Sequence, residues 1–496
     1  MRSLTIAVFR MATFWCVTAL LAHGQAEAWL PGGALPVLAA VQTNNPQLAA
    51  ARSRVAAERG RADANEGFYQ PRAALAAGGS RGPSAAPESS LVPRLPGDAA
   101  SLQAGVLVPL RAGATLGVGA GQRRLFDADG FDDLGQSVAG LRMEIPLLRD
   151  RGFRLQRLRQ AALESAVGAA EARARAVGEA VAMEALARYA VWLHAAADVR
   201  EYEQSVRRVE RLLAETAGRV ALKTLAEYQV FTAQMEVAFR QEELRQAQAA
   251  LANAGHGLAA LLGGWLPELP AAGPAELRVW AALGATGDVA RLMALALPRA
   301  ELIEAGHQVR AAEQTGLARE EEMRSSLALV VGVGYQGEDE DGGLGRDNLL
   351  ADERAGVEVA LVWSRPFAFD AERAAARAQA AETAAARAEQ RRIGLEIAAA
   401  QAQAMASLAA ARDRLDIVDR AVGEARRALD AESERMRLGE GRSRNVLDAQ
   451  KDLTTAERRA NQAALDTVLA ILDLLHAAGV PLLSTEVDHG ALSPSP

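Results

Sequence analysis

The stretch SLALVVGVGYQGEDEDGG, residues 326–343, decides which fold the sequence predicts. Its segment 332–337 matches G-x-G-x-x-G, a dinucleotide-binding pattern that needs a helix to begin at the last glycine, so that free backbone N–H groups hold the pyrophosphate. Here the carboxylates of residues 338–341 would repel a phosphate, and Gly342 and Gly343 disfavour a helix. The glycines therefore need another role.

Residues 327–336, taken with a period of two, predict a strand with two different faces. One face is bulky and apolar, whereas the other carries small residues such as Gly332 and Gly334, and residues 356–364 alternate in the same way. Such alternation over ~9–11 residues is typical of a membrane β-barrel strand, although a soluble sandwich strand alternates similarly. The residues predicted to face lipid are Leu327, Leu329, Val331, Val333, Tyr335, Val357, Val359, Leu361 and Trp363.

The first half of the chain repeats this pattern before Pro146, where Ala139, Leu141, Met143 and Ile145 alternate with smaller or polar residues. Residues 101–122 predict a further hairpin, turning at 111–113, that has no counterpart in the second half. Without that hairpin the chain has four predicted barrel strands. Since even small closed barrels need about eight strands, several copies must share one barrel, and three copies would give twelve strands.

Helical periodicity surrounds the predicted strands and follows the order short, long, short in each half of the chain. It covers residues 35–68, 147–217, 222–262, 289–323, 369–438 and 445–475. An offset of 254 residues places Leu48 on Leu302 and Leu75 on Leu329, which predicts an internal duplication. The predicted segments are a first repeat at 29–270, a linker at 271–285, a second repeat at 286–483 and a tail at 484–496.

The lengths of these helices predict how they pack. At 1.5 Å per residue the long helices span roughly 105 Å and the short ones roughly 45–60 Å, so two short helices end to end match one long helix. A heptad seam indicates coiled-coil packing, although a filamentous coiled coil would also have one. The seam consists of Leu408, Leu415, Val422 and Leu429 at one position and Ala411, Val418 and Ala425 at the other.

The composition agrees with long helices in an exported chain. Of the 496 residues, 50% are apolar but only 4% are aromatic, and alanine is mixed with charged residues. Acids and bases are balanced along the chain, which gives no reason to expect nucleic acid as a partner. Residues 1–28 have the pattern of a secretory signal peptide and contain the only cysteine, Cys16, so we expect no disulfides in the mature chain.

Two short turns separate the long helices from the helices that return along them. In the second turn, residues 437–448, Gly439 suits a helix C-cap and Ser443 suits the N-cap of the next helix. In the first turn, residues 218–225, Thr224 is the candidate cap. Both turns are predicted to be basic, tight hairpin tips.

Several short motifs together resemble the TolC-like family of outer-membrane efflux proteins, over nearly all of the mature chain. They are GEGRSRNVLDAQ at 439–450, NPQL at 45–48, PLLR at 146–149 and Pro366-Phe367. The sequence departs from the family pattern in the extra segment 101–122 and in Ala221, which replaces the glycine usual at the first tip.

This resemblance implies a mainly α-helical homotrimer with a long coiled-coil tunnel across the periplasm and a shared twelve-stranded β-barrel in outer-membrane lipid. It implies export of drugs, toxic compounds, metals or proteins, together with a periplasmic adaptor protein and an inner-membrane transporter. The tips would be the docking site for the adaptor. The residues predicted to form that contact are Leu222, Thr224, Leu225, Gly439, Gly441, Arg442, Ser443, Val446 and Leu447.

The sequence gives no pattern for catalysis. The six histidines are scattered without metal-ligand spacing, and there is no nucleophile elbow, so we expect no enzyme, cofactor or metal site. Two other classes compete with a channel. A periplasmic adaptor would have one helical hairpin between two lipoyl-like halves, whereas this chain has two hairpins, and a structural coiled-coil protein would leave the strand alternation unexplained.

Overall fold

The computed structural model describes residues 29–80, 98–128, 131–223, 225–264, 274–286, 289, 298–339, 355–366, 368–438 and 440–483. The predicted signal peptide, most of the acidic loop after residue 339 and the tail at 484–496 lie outside these residues. Among the described helices, none is long and apolar enough to cross a membrane. The described residues divide into two compact units, each formed from several segments of the chain.

The helices agree with the predicted order of short and long elements. They are α1 Ala34–Asn44, α2 Pro46–Glu66, α3 Arg154–Ala221, α4 Tyr228–Leu261, α5 Pro274–Thr286, α6 Ala300–Glu322, α7 Asp370–Arg437 and α8 Ser443–Ala477. The two long helices, α3 and α7, each contain 68 residues. The starts of α2 and α6 lie 254 residues apart, the offset found in the sequence.

The first predicted helix is in fact two helices, because the chain bends at Asn45. Its side-chain Oδ1 accepts hydrogen bonds from the backbone N–H groups of Gln47 (2.8 Å) and Leu48 (3.3 Å), which caps α2. Its amide Nδ2 donates to the carbonyl of Leu261 at 2.9 Å. Pro46 also disfavours a helical conformation at the residue before it. The predicted continuous helix over 35–68 was therefore wrong at this position.

The segment predicted as a linker, 271–285, contains most of helix α5. Leu277, Trp280 and Ala281 lie on one face of this helix and are buried in the core of the first unit. The indole N–H of Trp280 donates to the carbonyl of Trp29 at 2.9 Å, and the hydroxyl of Tyr189 donates to Glu276 at 2.9 Å. This part of the chain is a structural element of the unit.

The first unit is a helical bundle formed by residues 1–54, 171–304 and 391–496, so far as these are described. Its largest hydrophobic cluster joins α1, α5, α8 and parts of α3, α4 and α7. The predicted heptad seam of α7 packs here: Leu408 is buried in this cluster and Leu429 in a second one. Ala411, Leu415, Val422 and Ala425 are partly buried against the same two clusters, so the seam prediction is confirmed for six of its seven residues, all but Val418.

The second unit, formed by residues 55–170 and 305–390, contains one antiparallel sheet. Its strands pair in sequence order: β1 Arg72–Ser80, β2 Asp98–Leu110, β3 Ala114–Ala128, β4 Phe131–Pro146, β5 Ser326–Asp339 and β6 Ala355–Ser364. The predicted hairpin at 101–122 is confirmed as β2 and β3, and it lies inside the sheet. The described residues therefore form a six-stranded sheet, two strands more than the four barrel strands expected from the sequence.

Candidate functional sites

The strand pairing places the side chains of all six strands on two continuous faces. Val333 pairs with Val357 on β6 and with Leu141 on β4, and the same row continues through Val118 to Val106. We call this side the apolar face. All nine residues predicted to face lipid lie on it, and those of β6 are 62–73% exposed. The alternation in the sequence therefore grouped these residues on one face correctly, and their contact with lipid stays a prediction.

The opposite side, which we call the small-residue face, explains the glycines of the opening stretch. Gly332, Gly334 and Gly140 lie on it, in strands that pair with one another. A Cβ atom on Gly140 would lie 2.9 Å from the carbonyl oxygen of Val333, so the backbones approach too closely there for a larger residue. The charged residues Arg142, Glu144 and Glu358 share this face. The face behind the apolar one is therefore rich in small residues and carries charges, with Leu107, Val138 and Val362 as its exposed apolar residues.

The turn of the β2–β3 hairpin packs against the junction between β4 and α3. Gly113 has a φ of +96°, and a Cβ atom on it would lie 2.2 Å from the Cα of Gly152. The guanidinium of Arg111 lies over the ring of Tyr69, with its central carbon 5.2 Å from the ring centroid. These contacts fix the end of the hairpin at the edge of the sheet where strands and helices meet.

The same junction contains an unusual backbone held by side chains. Asp150 and Phe153 have positive φ values of 58° and 52°. The carboxylate of Asp150 accepts the backbone N–H of Leu155 at 2.7 Å, and its own N–H donates to Glu321 at 3.1 Å. Burial raises the pKa of the Asp150 carboxyl, and the hydrogen bond from Leu155 opposes that rise. Phe153 is buried and packs edge-on against Phe68 at 5.2 Å.

Gly113→Ala is expected to destabilise the hairpin by about 1–3 kcal/mol, because alanine is strained at positive φ and its methyl group would collide with Gly152. Limited proteolysis of the assembled protein should then cleave near residues 111–113 sooner than in the parent. Gly356→Ala is the matched control, since its Cβ would lie 3.9 Å from the nearest carbonyl, an ordinary contact. Equal protection of the two variants would contradict the packing described.

At the second hairpin tip, two of the predicted contact residues are buried within the chain itself. Val446 and Leu447 pack in a cluster with Leu212, Leu429 and Met436. Their side chains are not available to a partner, so the prediction that they form a docking contact is wrong for this conformation. The cluster instead joins the ends of α3, α7 and α8.

Ser443 also differs from its predicted role. Arg442 is the N-cap of α8, with extended backbone and no side-chain cap, and Ser443 is the first helical residue. The hydroxyl of Ser443 donates to the side-chain oxygen of Gln229 on α4 at 3.2 Å. The predicted capping role is therefore wrong, and this serine links the two tips. The other predicted caps, Thr224 and Gly439, lie outside the described residues.

Gly441 is needed for the shape of the second tip. A Cβ atom there would lie 2.7 Å from the backbone nitrogen of Met436, and the N–H of Gly441 donates to the carbonyl of Arg435 at 3.0 Å. A larger residue would therefore disturb the turn itself. Arg219 crosses from the first tip and donates to the carbonyl of Met436 at 2.9 Å. The two tips thus form one packed end of the bundle.

The exposed surface of this end is a small apolar patch with basic neighbours. Leu222 and Leu438 are 76% and 61% exposed, while Lys223 and Arg442 are also exposed and Leu225 is half-buried. We call Leu222, Lys223, Leu438 and Arg442 the tip patch. Sequence reasoning identified Leu222 and Arg442 but missed Leu438 and Lys223. Lys223 has a φ of 60°, a conformation that its sequence does not reveal because glycine or asparagine usually occupies such a turn.

Comparison with solved structures identifies the fold. The chain is similar to a membrane protein from Pseudomonas aeruginosa, with 19% identity, a TM-score of 0.66, and coverage of 90% of this chain and 94% of that one. It is also similar to the MtrE outer-membrane channel of Neisseria gonorrhoeae, with 16% identity, a TM-score of 0.65, and coverage of 92% of this chain and 90% of that one. A third similar structure is VceC, an outer-membrane protein of Vibrio cholerae, with 18% identity, a TM-score of 0.63, and coverage of 91% of this chain and 97% of that one.

No protein-family model and no curated protein sequence matches the chain. The structural similarities show that the chain has the fold of outer-membrane channel proteins, in agreement with the TolC-like resemblance of its motifs. In the described residues, no cluster of three or more His, Cys, Asp or Glu is placed to hold a metal ion.

Proposed function

We propose that copies of this chain form an outer-membrane channel with a periplasmic tunnel, which exports substrates together with a periplasmic adaptor and an inner-membrane transporter. The proposal rests on the sheet, because its apolar face and its small-residue face differ in chemistry. Its apolar face, 62–73% exposed along β6, suits lipid, and its small-residue face suits a wet lumen. The fold of outer-membrane channels supports the same assignment.

The edges of the sheet support assembly from several copies. β1 and β6 each pair on one side only within the described residues, and both are long enough to expose a full row of backbone N–H and C=O groups. Such edges invite pairing with another chain. Because six antiparallel strands leave β1 and β6 running in opposite directions, β6 of one copy can pair antiparallel with β1 of the next. Three copies, as the family resemblance implies, would close the wall.

An exposed apolar stripe on α4 supports the same assembly in the helical part. Tyr228, Phe231, Met235 and Phe239 recur at helical spacing and are 54–66% exposed. An isolated bundle rarely exposes so many large apolar residues in one row. We propose that a helix of a second copy covers this stripe, as the seam of a closed ring of helices requires.

The tip patch is proposed as the contact with the adaptor. Leu222 and Leu438 are exposed at the packed end of the bundle, and the turns that carry them are held by Gly441 and by the bond from Arg219. An apolar patch with cationic neighbours suits a partner surface with apolar and acidic residues. In this proposal the tip patch takes the place of Val446 and Leu447 as the docking contact, because those two side chains are buried.

Leu222→Asp combined with Leu438→Asp is expected to reduce export strongly while the trimer still assembles. The changed side chains are exposed, so they contribute little to the core but would place carboxylates in the docking contact. Export would be measured as restored resistance in a deletion strain, after a screen has found which compounds that strain no longer tolerates. Val279→Asp, at another exposed apolar position of the same unit, is the control.

Photo-crosslinking separates docking from a general loss of fitness. A crosslinking residue at Leu222 or Leu438 should capture the adaptor in cells, whereas one at Val279 should not. Normal export by the double variant, or the absence of an adaptor crosslink from both positions, would contradict the proposed docking site. The competing adaptor class is not favoured, since the chain has the channel fold over at least 90% of its length in the comparisons above.

A further inference from the structure

We propose that the β2–β3 hairpin widens the membrane pore, so that three copies build a wall of eighteen strands that admits bulky hydrated solutes. This inference rests on the proposed three-copy channel. Each copy contributes six strands, and three copies therefore give eighteen. Without the hairpin, each copy would contribute four strands and the wall would contain twelve.

The hairpin belongs to the wall because its register and its faces continue those of the other strands. β2 pairs with β1 over nine residues, and β3 pairs with β4 over nearly its whole length. Val106 and Val118 lie in the same row of the apolar face as Leu141 and Val333. A hairpin folded into the lumen as a plug would not need exposed apolar residues such as Leu102, Val106 and Val118 on the outer side.

The anchoring of its turn indicates that the hairpin spans the full height of the wall. Gly113 packs against Gly152, next to the start of α3, and Arg111 covers Tyr69. The turn therefore lies at the edge of the sheet where β4 passes into its helix. A hairpin that only extended an outer loop would have its turn at the opposite edge.

The number of strands sets the width of the pore. With strands about 4.8 Å apart and tilted by about 40°, eighteen strands give a wall about 36 Å across, measured between backbones, against about 24 Å for twelve. Walls of 16–18 strands commonly leave an aqueous channel. The extra hairpin thus increases the diameter by about half.

The side chains of the hairpin preserve this extra width. On the small-residue face it carries Gly105, Gly117, Gly119 and Gly121, the polar residues Ser101, Gln103, Thr115 and Arg123, and one large apolar residue that is exposed, Leu107. The four glycines take little space, and Leu107 is the single large apolar side chain that the middle of the hairpin exposes on this face. The geometry therefore points to large hydrated cargo rather than to a narrow apolar path.

A first experiment tests whether the hairpin forms part of the wall. Because the only cysteine is Cys16, single cysteines introduced into the mature part can be labelled alone. Gln103→Cys should react with a small, charged, membrane-impermeant maleimide in intact outer membranes, whereas Val118→Cys should be protected by lipid. Gln336→Cys and Val333→Cys provide the same comparison on β5. Equal reaction at Gln103→Cys and Val118→Cys, with the β5 pair still distinct, would overturn the proposal but leave the channel intact.

A second experiment measures the width directly. Glu358→Cys lies on the small-residue face of β6, and it is introduced both into the full chain and into a variant that lacks residues 98–130. Maleimides attached to polymers of increasing mass are added outside the cells. The full chain should react with polymers that are excluded from the deletion variant. An equal size limit in two assembled trimers would overturn the proposal.

If the deletion variant does not assemble, the strands are counted in a cryo-electron microscopy map of the full-length trimer. Eighteen strands around the wall support the inference, and twelve strands or an open sheet contradict it. If the full chain is not a membrane trimer at all, the proposed function fails, and the two failures are thereby distinguished.

Discussion

Val359→Arg or Leu361→Arg is expected to destabilise the proposed membrane-inserted trimer by about 2–4 kcal/mol, because each change would place a charge on the face of β6 that we propose to contact lipid. Both side chains are more than 60% exposed on the apolar face, and Val359 lies near the middle of the strand. The loss would be measured as the amount of trimer in purified outer membranes, and as its midpoint of urea unfolding in lipid vesicles.

The neighbouring residues of the same strand supply the control. Ala360→Arg and Glu358→Arg place the same charge on the small-residue face, where water is expected, and should reduce the amount of trimer far less. Equal losses from the two faces would show that the sheet does not separate lipid from water.

Trp280→Ala is expected to cost about 3–5 kcal/mol of stability, since it empties the largest fully buried site of the first unit. It also removes the hydrogen bond to the carbonyl of Trp29 and leaves that group without its indole donor. The unit should then unfold at lower denaturant concentration, and α5 should become accessible to proteases.

Val279→Ala, on the same helix, controls for the change to alanine itself, which raises helix propensity at both positions. Val279 is 55% exposed, so its replacement should change the unfolding midpoint little. If Trp280→Ala were as well tolerated as Val279→Ala, α5 would contribute little to the core, as the predicted linker at 271–285 implies.

Local patterns were sufficient for the long helices and for the faces of the strands. Alternation with a period of two depends only on neighbouring residues, and it placed Val333 and Val359 on the same face of the sheet, as the structure has them. The bend at Asn45 could also have been predicted, because an asparagine before a proline is both a helix stop and a cap. The apolar residues of α5 have helical spacing too. Because this helix contains only 13 residues, its periodic pattern is short and was not recognised as a helix in the sequence.

Other features depend on contacts between distant parts of the chain. Ser443 bonds to Gln229, more than two hundred residues away, and Val446 is buried by residues of α3 and α7. Nothing in the local sequence of the tip reveals this burial. The number of strands was also underestimated, since only the pairing of β3 with β4 shows that the extra hairpin joins the sheet.

The central claim is that several copies of the chain form an integral channel of the outer membrane. The most direct test is to fractionate membranes of the native host and to wash them with carbonate and urea. We predict that the protein remains in the outer-membrane pellet. We also predict that a cysteine on β1, such as Ala76→Cys, forms a disulfide with a cysteine on β6 of the next copy and so links the copies into a trimer. The β6 cysteine would be Ala360→Cys or a neighbouring residue of the small-residue face. Release of the protein by the washes, together with no link between copies, would contradict the account.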